Sequence, residues 1–229
     1  MAVNATIGNR IADLIGDTYS TIPSNSYKDL INAAFNECAD NIKPELLLKY
    51  SAAPTTVTSA SGVSVEDKKI LKVTRIDSNG GVERDCKYLE RTEFSIATDS
   101  TSIHFSTVYS PVYKLHSDNT ATTAVIFPNC NSSGEEGKIW LFSYALATTD
   151  LTGVTTASLN ADYYMPSELI HSIVLKSCIN ILQAYMSNQI QDEEDSEIVQ
   201  LLQAQIAGLQ QDYQQEVSRF MSDQGGTGE

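Results

Sequence analysis

A chain of 229 residues with 41% hydrophobic content is long enough for one domain with a real core, or one domain carrying an insertion. Its net charge of −14 argues against tight nucleic-acid binding, which needs clustered Lys and Arg to displace counterions. No apolar run approaches the roughly 18 residues of a membrane span, and no basic-then-apolar leader opens the chain, so a soluble, cytosol-made protein without a membrane partner is expected.

In chain order, residues 4–18 read as a short amphipathic helix with Ile7, Ile11, Leu14 and Ile15 on one side. Pro23, Ser24, Asn25 and Ser26 break the chain and offer a new N-cap. A second helix follows through Leu30, Ile31, Ala34, Phe35, Cys38, Ala39 and Ile42, and Pro44 interrupts it before Leu46–Leu48. Residues 1–50 therefore form a helical arm. Ala, Thr, Ser, Gly and Val then dominate 51–66, which reads as an extended connector.

Across 67–147 the apolar period becomes two. Ile70–Ile76 and Val82–Leu89 read as a hairpin about the turn Asn79-Gly80-Gly81. Phe94–Ile96, Ile103–Val108, Val112–Leu115, Ala124–Phe127 and Lys138–Tyr144 read as further strands of a small antiparallel sheet or barrel. The Thr-, Ser- and Gly-rich residues 148–162 read as a second connector.

Residues 163–223 return to helical spacing. Leu169, Ile170, Ile173, Val174, Cys178, Ile181, Leu182 and Tyr185 recur at steps of three and four after Pro166. Glu168, Ser172, Lys176, Asn180 and Gln183 mark the opposite face, so this helix is expected to be half buried. After the acidic run 192–195, a second seam runs through Ile198, Leu202, Ile206, Leu209, Tyr213, Val217 and Phe220. Two outcomes remain open for it: an intramolecular hairpin with the preceding helix, or a helix that leaves the body to pack on another subunit or partner. Residues 191–229 hold nine acids against Arg219 alone, and the Gly-rich tail 224–229 is expected to lack fixed structure.

Helices, then strands, then helices imply an α+β protein. Its N- and C-terminal helices form one bundle and a small antiparallel β-domain is inserted between them, since neither helical arm alone buries its apolar faces.

Residues that resemble chemistry are sparse. His171 lies one heptad before Cys178, but two potential ligands do not make a metal site. His104 and His116 have no Ser in a nucleophile elbow to serve. The run 192–195 lacks the alternating ligands and central Gly of a calcium loop, and Gly80-Gly81 lacks the Lys-Ser or Lys-Thr of a phosphate loop. Cys38, Cys86, Cys130 and Cys178 are scattered and read as free thiols. Lys68, Lys69, Lys72, Arg75, Arg84, Lys87 and Arg91 alternate with acids, as an ordinary surface does. Tyr109, Tyr113 and Trp140 are a candidate interface of the β-domain, because aromatics favour interface cores. The expectation is a protein that is not an enzyme and that uses no cofactor and no metal.

The layout resembles the head-to-tail adaptor, or connector, proteins of tailed bacteriophages. The likeness rests on the N-terminal helix pair Ile7–Ile42, on the strand region with "SIHFSTVYSPVYKL" and "TAVIFPN", on "DYYMPSELIHSIVLKSCINILQAYM", and on the long closing helix. A Tyr-and-Pro stretch opens the penultimate helix in that family, as Tyr163, Tyr164 and Pro166 do here. This chain departs from the family in its sizeable β-insertion and acidic, Gly-rich tail. The resemblance implies a virion protein, assembled in the host cytoplasm into a ring, commonly of twelve copies, below the portal. It implies as partners the portal protein, other neck or tail proteins, further copies of the chain, and DNA that passes without sequence-specific binding. The 196–222 helix and tail would face the portal, and the β-region would meet neighbours. The alternatives are another neck or tail component, such as a stopper or tail-tube protein, and a cellular helical interaction module.

Overall fold

The structure is a computed structural model that describes residues 5–16, 24–49, 53–77, 81–117, 121–131, 134–191 and 196–222. In chain order the elements are α1 (Ile7–Ile15), α2 (Ser24–Asn41), α3 (Pro44–Leu48), β1 (Thr55–Val57), β2 (Val63–Ser64) and β3 (Lys68–Ile76). They continue with β4 (Glu83–Asp85), β5 (Lys87–Tyr88), α4 (Arg91–Thr98), β6 (Val112–Ser117), β7 (Thr122–Phe127) and β8 (Glu136–Ser143). The chain closes with α5 (Thr156–Tyr163), α6 (Ile170–Gln191) and α7 (Ser196–Ser222). The protein is α+β and divides into two compact units. One contains Met1–Lys43 with Tyr144–Glu229, and the other is Pro44–Ser143.

The helical unit is organised around α6, which packs against α1, α2 and α7. Its buried residues include Ile173, Val174, Leu175, Cys178, Ile179, Ile181 and Leu182, and also Ser172 and Ser177. The helix is thus buried on more than the one face expected from its polar positions. Its polar residues are accommodated by local partners. The Ser177 hydroxyl donates to the Ile173 carbonyl at 2.7 Å, Asn180 Nδ2 donates to the Leu30 carbonyl at 3.3 Å, and Lys176 pairs with Glu37 at 2.7 Å.

Helix α1 begins where the Thr6 hydroxyl accepts the Asn9 backbone N–H, and it ends at Gly16 with φ +68°. Ile7, Ile11 and Ile15 are buried, while Leu14 faces outward, 41% exposed, and not with them as expected. The residues after β8 are tied to α2: Asn36 Oδ1 accepts the Ala145 N–H at 2.8 Å, and Asn32 donates to the carbonyls of Leu146 and Thr149. Part of the expected 148–162 connector is α5, capped by the Thr155 hydroxyl and closed by Tyr164 at φ 53°.

Lys28 Nζ lies 2.7 Å from Asp150 Oδ2. That bond, with help from the Thr152 hydroxyl, lowers the Asp150 carboxyl to about 2. A carboxyl depressed on folding contributes stability above the ordinary aspartate range, and the contribution fades as pH falls from about 4 toward 2. Chemical denaturation of wild type and Asp150→Asn should therefore differ at neutral pH and converge near pH 2.

The β unit has two four-stranded sheets, ordered β1-β8-β3-β4 and β2-β7-β6-β5. All pairings are antiparallel except β5 with β6, where Lys87 and Tyr88 lie opposite Val112 and Tyr113. The expected hairpin is present but short. Ile76 pairs with Glu83 and Thr74 with Asp85, after which the chain leaves β3 at Cys86 and joins the other sheet. The expected 51–66 connector supplies two edge strands, β1 and β2. One shared core fills the space between the sheets: Val57, Val73 and Ile139 from the first, Ala124 and Ile126 from the second, with Val65 and Cys130.

Two expected strands are absent. Phe94–Ile96 lies in α4, because Phe94 and Ala97, three residues apart, bury together against Leu89, Val112 and Phe127. Ile103–Val108 forms successive turns rather than a strand. Arg75, expected at the surface, is 2% exposed: it lies two residues along β3 from the core residue Val73 and pairs with Glu135.

Two glycines permit close approach in this unit. Gly62 has φ +75°, and a Cβ there would stand 2.3 Å from the Ala124 carbonyl oxygen. Gly62→Ala should cost about 1–3 kcal/mol, read as a lower thermal midpoint of the β unit. At Gly137 a Cβ would meet Ile126 Cδ1 at 2.5 Å, so the Ile126 side chain of the second sheet packs directly on bare backbone of the first.

Candidate functional site

The seam of α7 is its first candidate surface, and the structure uses much of it within the chain. Leu202 and Ile206 are buried, and Leu209, Tyr213 and Val217 are half-buried as α7 packs along α6. Burying Leu202 and Ile206 contributes roughly 1.5–3 kcal/mol each, which outweighs the entropy of fixing two branched side chains. These positions therefore hold the helical hairpin together. For Leu202 and Ile206 this is the first of the two outcomes left open for the seam, packing against the preceding helix. Ile198, at the edge of the seam, remains 40% exposed. The side chain of Phe220 lies outside the described residues, as do the acidic run 192–195 and the tail.

Tyr213 fixes the far end of the hairpin. Its hydroxyl is 3.8 Å from Cys38 Sγ and accepts from Asn41 Nδ2 at 3.4 Å, while Lys176 Nζ stands 5.8 Å from its ring centroid. Burial pushes its phenol upward, and burial also pushes the Cys38 thiol up to about 12. A thiol held that high stays protonated and unreactive at neutral pH, so the Cys38–Tyr213 contact is structural. Cys178 is likewise raised to about 12 by burial, and all four cysteines are free.

The outward face of α7 is acidic and glutamine-rich, with Glu197 and Asp212 exposed and Leu201 standing 70% exposed among polar neighbours. The helical unit as a whole carries seventeen acidic against five basic residues, −12 of the total −14. The β unit holds twelve acids against ten bases.

The aromatic positions of the β unit do not form one platform. Tyr109 is 71% exposed, with the Arg84 guanidinium 5.0 Å from its ring. Tyr113 is half-buried against the shared core and tilted against Tyr88, centroids 5.5 Å apart. Trp140 is half-buried under Lys72, whose Nζ lies 5.9 Å from the ring. Of the three, Tyr109 alone is available as a large exposed contact.

A surface that sequence spacing did not reveal lies along α4 and the loop that follows it. Ile96, Ile103 and Phe105 are all exposed, Ile103 to 95%, around a cleft of about 560 Å³. Alternation of Ile103 and Phe105 mimics a strand, which is why the sequence concealed it. The flanking Asp99, Ser102 and Thr107, each able to bond a backbone N–H two residues on, were the available signal.

His171 is half-buried rather than in the core, and His104 and His116 are exposed. Among the described residues, no three or more His, Cys, Asp or Glu side chains come together as a metal site would require. No protein-family model matches the sequence, and a search of curated proteins returns no match.

Proposed function

We propose that this chain is a structural virion protein: a head-to-tail adaptor of a tailed bacteriophage that forms a ring below the portal, extends the DNA channel and joins capsid to tail. The observation that supports this most is the division of labour in the fold. Helices from both chain ends make one strongly acidic unit around α6, and the segment between them folds as a nearly charge-balanced β unit. An adaptor acts by assembly and not by turnover, so its working parts are surfaces. An excess of carboxylates suits a wall past which DNA phosphates slide without sticking, since like charges repel within a Debye length of roughly 8–10 Å.

In this reading the seam residues Leu202 and Ile206 act indirectly, by holding α7 in place, and the outward face of α7 docks. The partners are the portal protein, further copies of the chain and the next neck or tail protein, in the virion after assembly in the host cytoplasm. No cofactor takes part. Electron microscopy of the purified chain mixed with the portal protein of the same virus tests this reading. A second ring stacked coaxially on the portal is expected. A ring that ignores the portal but caps tail components would assign the chain to a stopper or tail-tube role instead.

A further inference from the structure

We propose that Cys86 and Cys130 are a redox-sensitive pair: oxidation joins them in a disulfide that ties the crossover between the two sheets of the β unit to the segment after β7. The inference does not rest on the adaptor reading, and neither falls with the other.

The fold gathers the two thiols around one core. Thr74 pairs with Asp85, and the next N–H, that of Cys86, donates to the Val73 carbonyl at 2.9 Å. Cys86 therefore stands opposite Val73, and residues directly opposite in an antiparallel pair share a face. Val73 is buried in the core shared by the two sheets, Cys86 packs against that core, and Cys130 belongs to it. Arg75, two residues along β3 from Val73, reaches the same segment as Cys130. Its Nε donates to the carbonyl of Pro128, two residues earlier in the chain, at 3.0 Å. Of the four free cysteines, Cys38 and Cys178 lie on α2 and α6 of the helical unit, so Cys86 and Cys130 are the two that share the β unit.

Burial and charge divide the roles. Cys86 is half-buried and open to a small reagent, whereas Cys130 is 2% exposed. Burial pushes the Cys86 thiol up to about 12, the neighbouring Cys130 adds to the rise, and the Arg75 guanidinium opposes it. Burial raises the Cys130 thiol too, and Arg75 is again the foremost group opposing the rise. The oxidant is a low-molecular-weight disulfide. The Cys86 thiolate attacks one of its sulfurs, forming a mixed disulfide and releasing one small thiol. Cys130 then gives up its proton and attacks Cys86 Sγ, and the second small thiol leaves. Two protein thiols thereby lose two electrons and two protons, and the small disulfide gains them. A thiol as high as Cys86 is seldom ionised at neutral pH, so closure is slow there and quickens roughly tenfold per pH unit.

The test uses the full-length wild-type chain, incubated with oxidised glutathione at about pH 7 and about pH 9, then alkylated under denaturing conditions and digested without reduction. A peptide pair joined through Cys86 and Cys130 is expected, formed roughly a hundredfold faster at the higher pH. The thermal midpoint of the β unit should rise by roughly 5–15 °C, because the bridge restricts the unfolded chain, and dithiothreitol should reverse the gain. Cys86→Ser should abolish both changes, and Cys38→Ser should leave both in place. Recovery of Cys86 and Cys130 as alkylated thiols after the pH 9 treatment would overturn the proposal. So would a glutathione adduct that persists on Cys86, or a bridge from either residue to Cys38 or Cys178. A bridge that forms but lowers the midpoint would overturn it as well, since the fold would then have to strain to make the bond.

Discussion

Ile206→Asp is expected to destabilise the helical unit by roughly 4 kcal/mol or more. The change deletes a branched side chain that is 7% exposed where α7 packs along α6, and it places a carboxylate in a buried site. With a urea dependence of about 2 kcal/mol per molar, the midpoint of the helical signal should fall by about 2 M. Particle assembly should be lost with it. Leu201→Asp is the control that separates fold from docking: one position earlier than Leu202 and 70% exposed, it should change stability by no more than about 0.5 kcal/mol. If Leu201→Asp also abolished assembly, the outward face of α7 would be the docking surface. A stable, well-folded Ile206→Asp protein would show that α7 does not depend on this packing.

The second large effect is expected at Arg75, inside the β unit. Its Nη2 pairs with Glu135 Oε1 at 2.9 Å and its Nε donates to the Pro128 carbonyl at 3.0 Å, while Nη1 has no hydrogen-bond partner. Arg75→Ala removes the cation from beside a Glu135 side chain that is only 14% exposed, and opens a cavity under β3. The expected loss is about 3–5 kcal/mol, read by denaturation of the isolated variant chain. Replacing both partners together, as Arg75→Met with Glu135→Leu, should recover most of that loss. A buried pair with one donor unmatched repays its desolvation poorly, and the Pro128 carbonyl would forfeit about 1 kcal/mol for its missing donor. A double variant as unstable as Arg75→Ala would mean that the pair itself, and not the orphaned charge, stabilises the β unit.

The fold class was legible because both helical arms carry three- and four-residue spacing and the middle segment carries alternation. Local signals were weaker wherever tertiary packing decided the outcome. Phe94-Ser95-Ile96 alternates as a strand does, yet Phe94 and Ala97 bury together and make it a helix. Thr155 and Leu159 turn a Thr- and Ser-rich connector into α5, a cap signal hidden by composition. Arg75 sits among seven cations that read as surface, because sequence does not tell that its side of β3 is the one covered by the second sheet. Leu202 and Ile206 lie buried on the α7 seam, but whether such residues face their own chain or another is a matter of which surface α6 leaves unfilled. The rim at Ile103 was missed because its alternation imitates the very strand it is not.

The central claim is that this chain sits against a portal, and cross-linking mass spectrometry on purified particles tests it most directly. Residues 191–229 contain no Lys, so a carboxylate-reactive reagent is required, and Glu197, Asp212 and Glu216 on α7 are the anchor points. Links from these residues to the portal subunit are the predicted result. Particles that contain no copy of the chain would contradict the account and return it to a cellular interaction module.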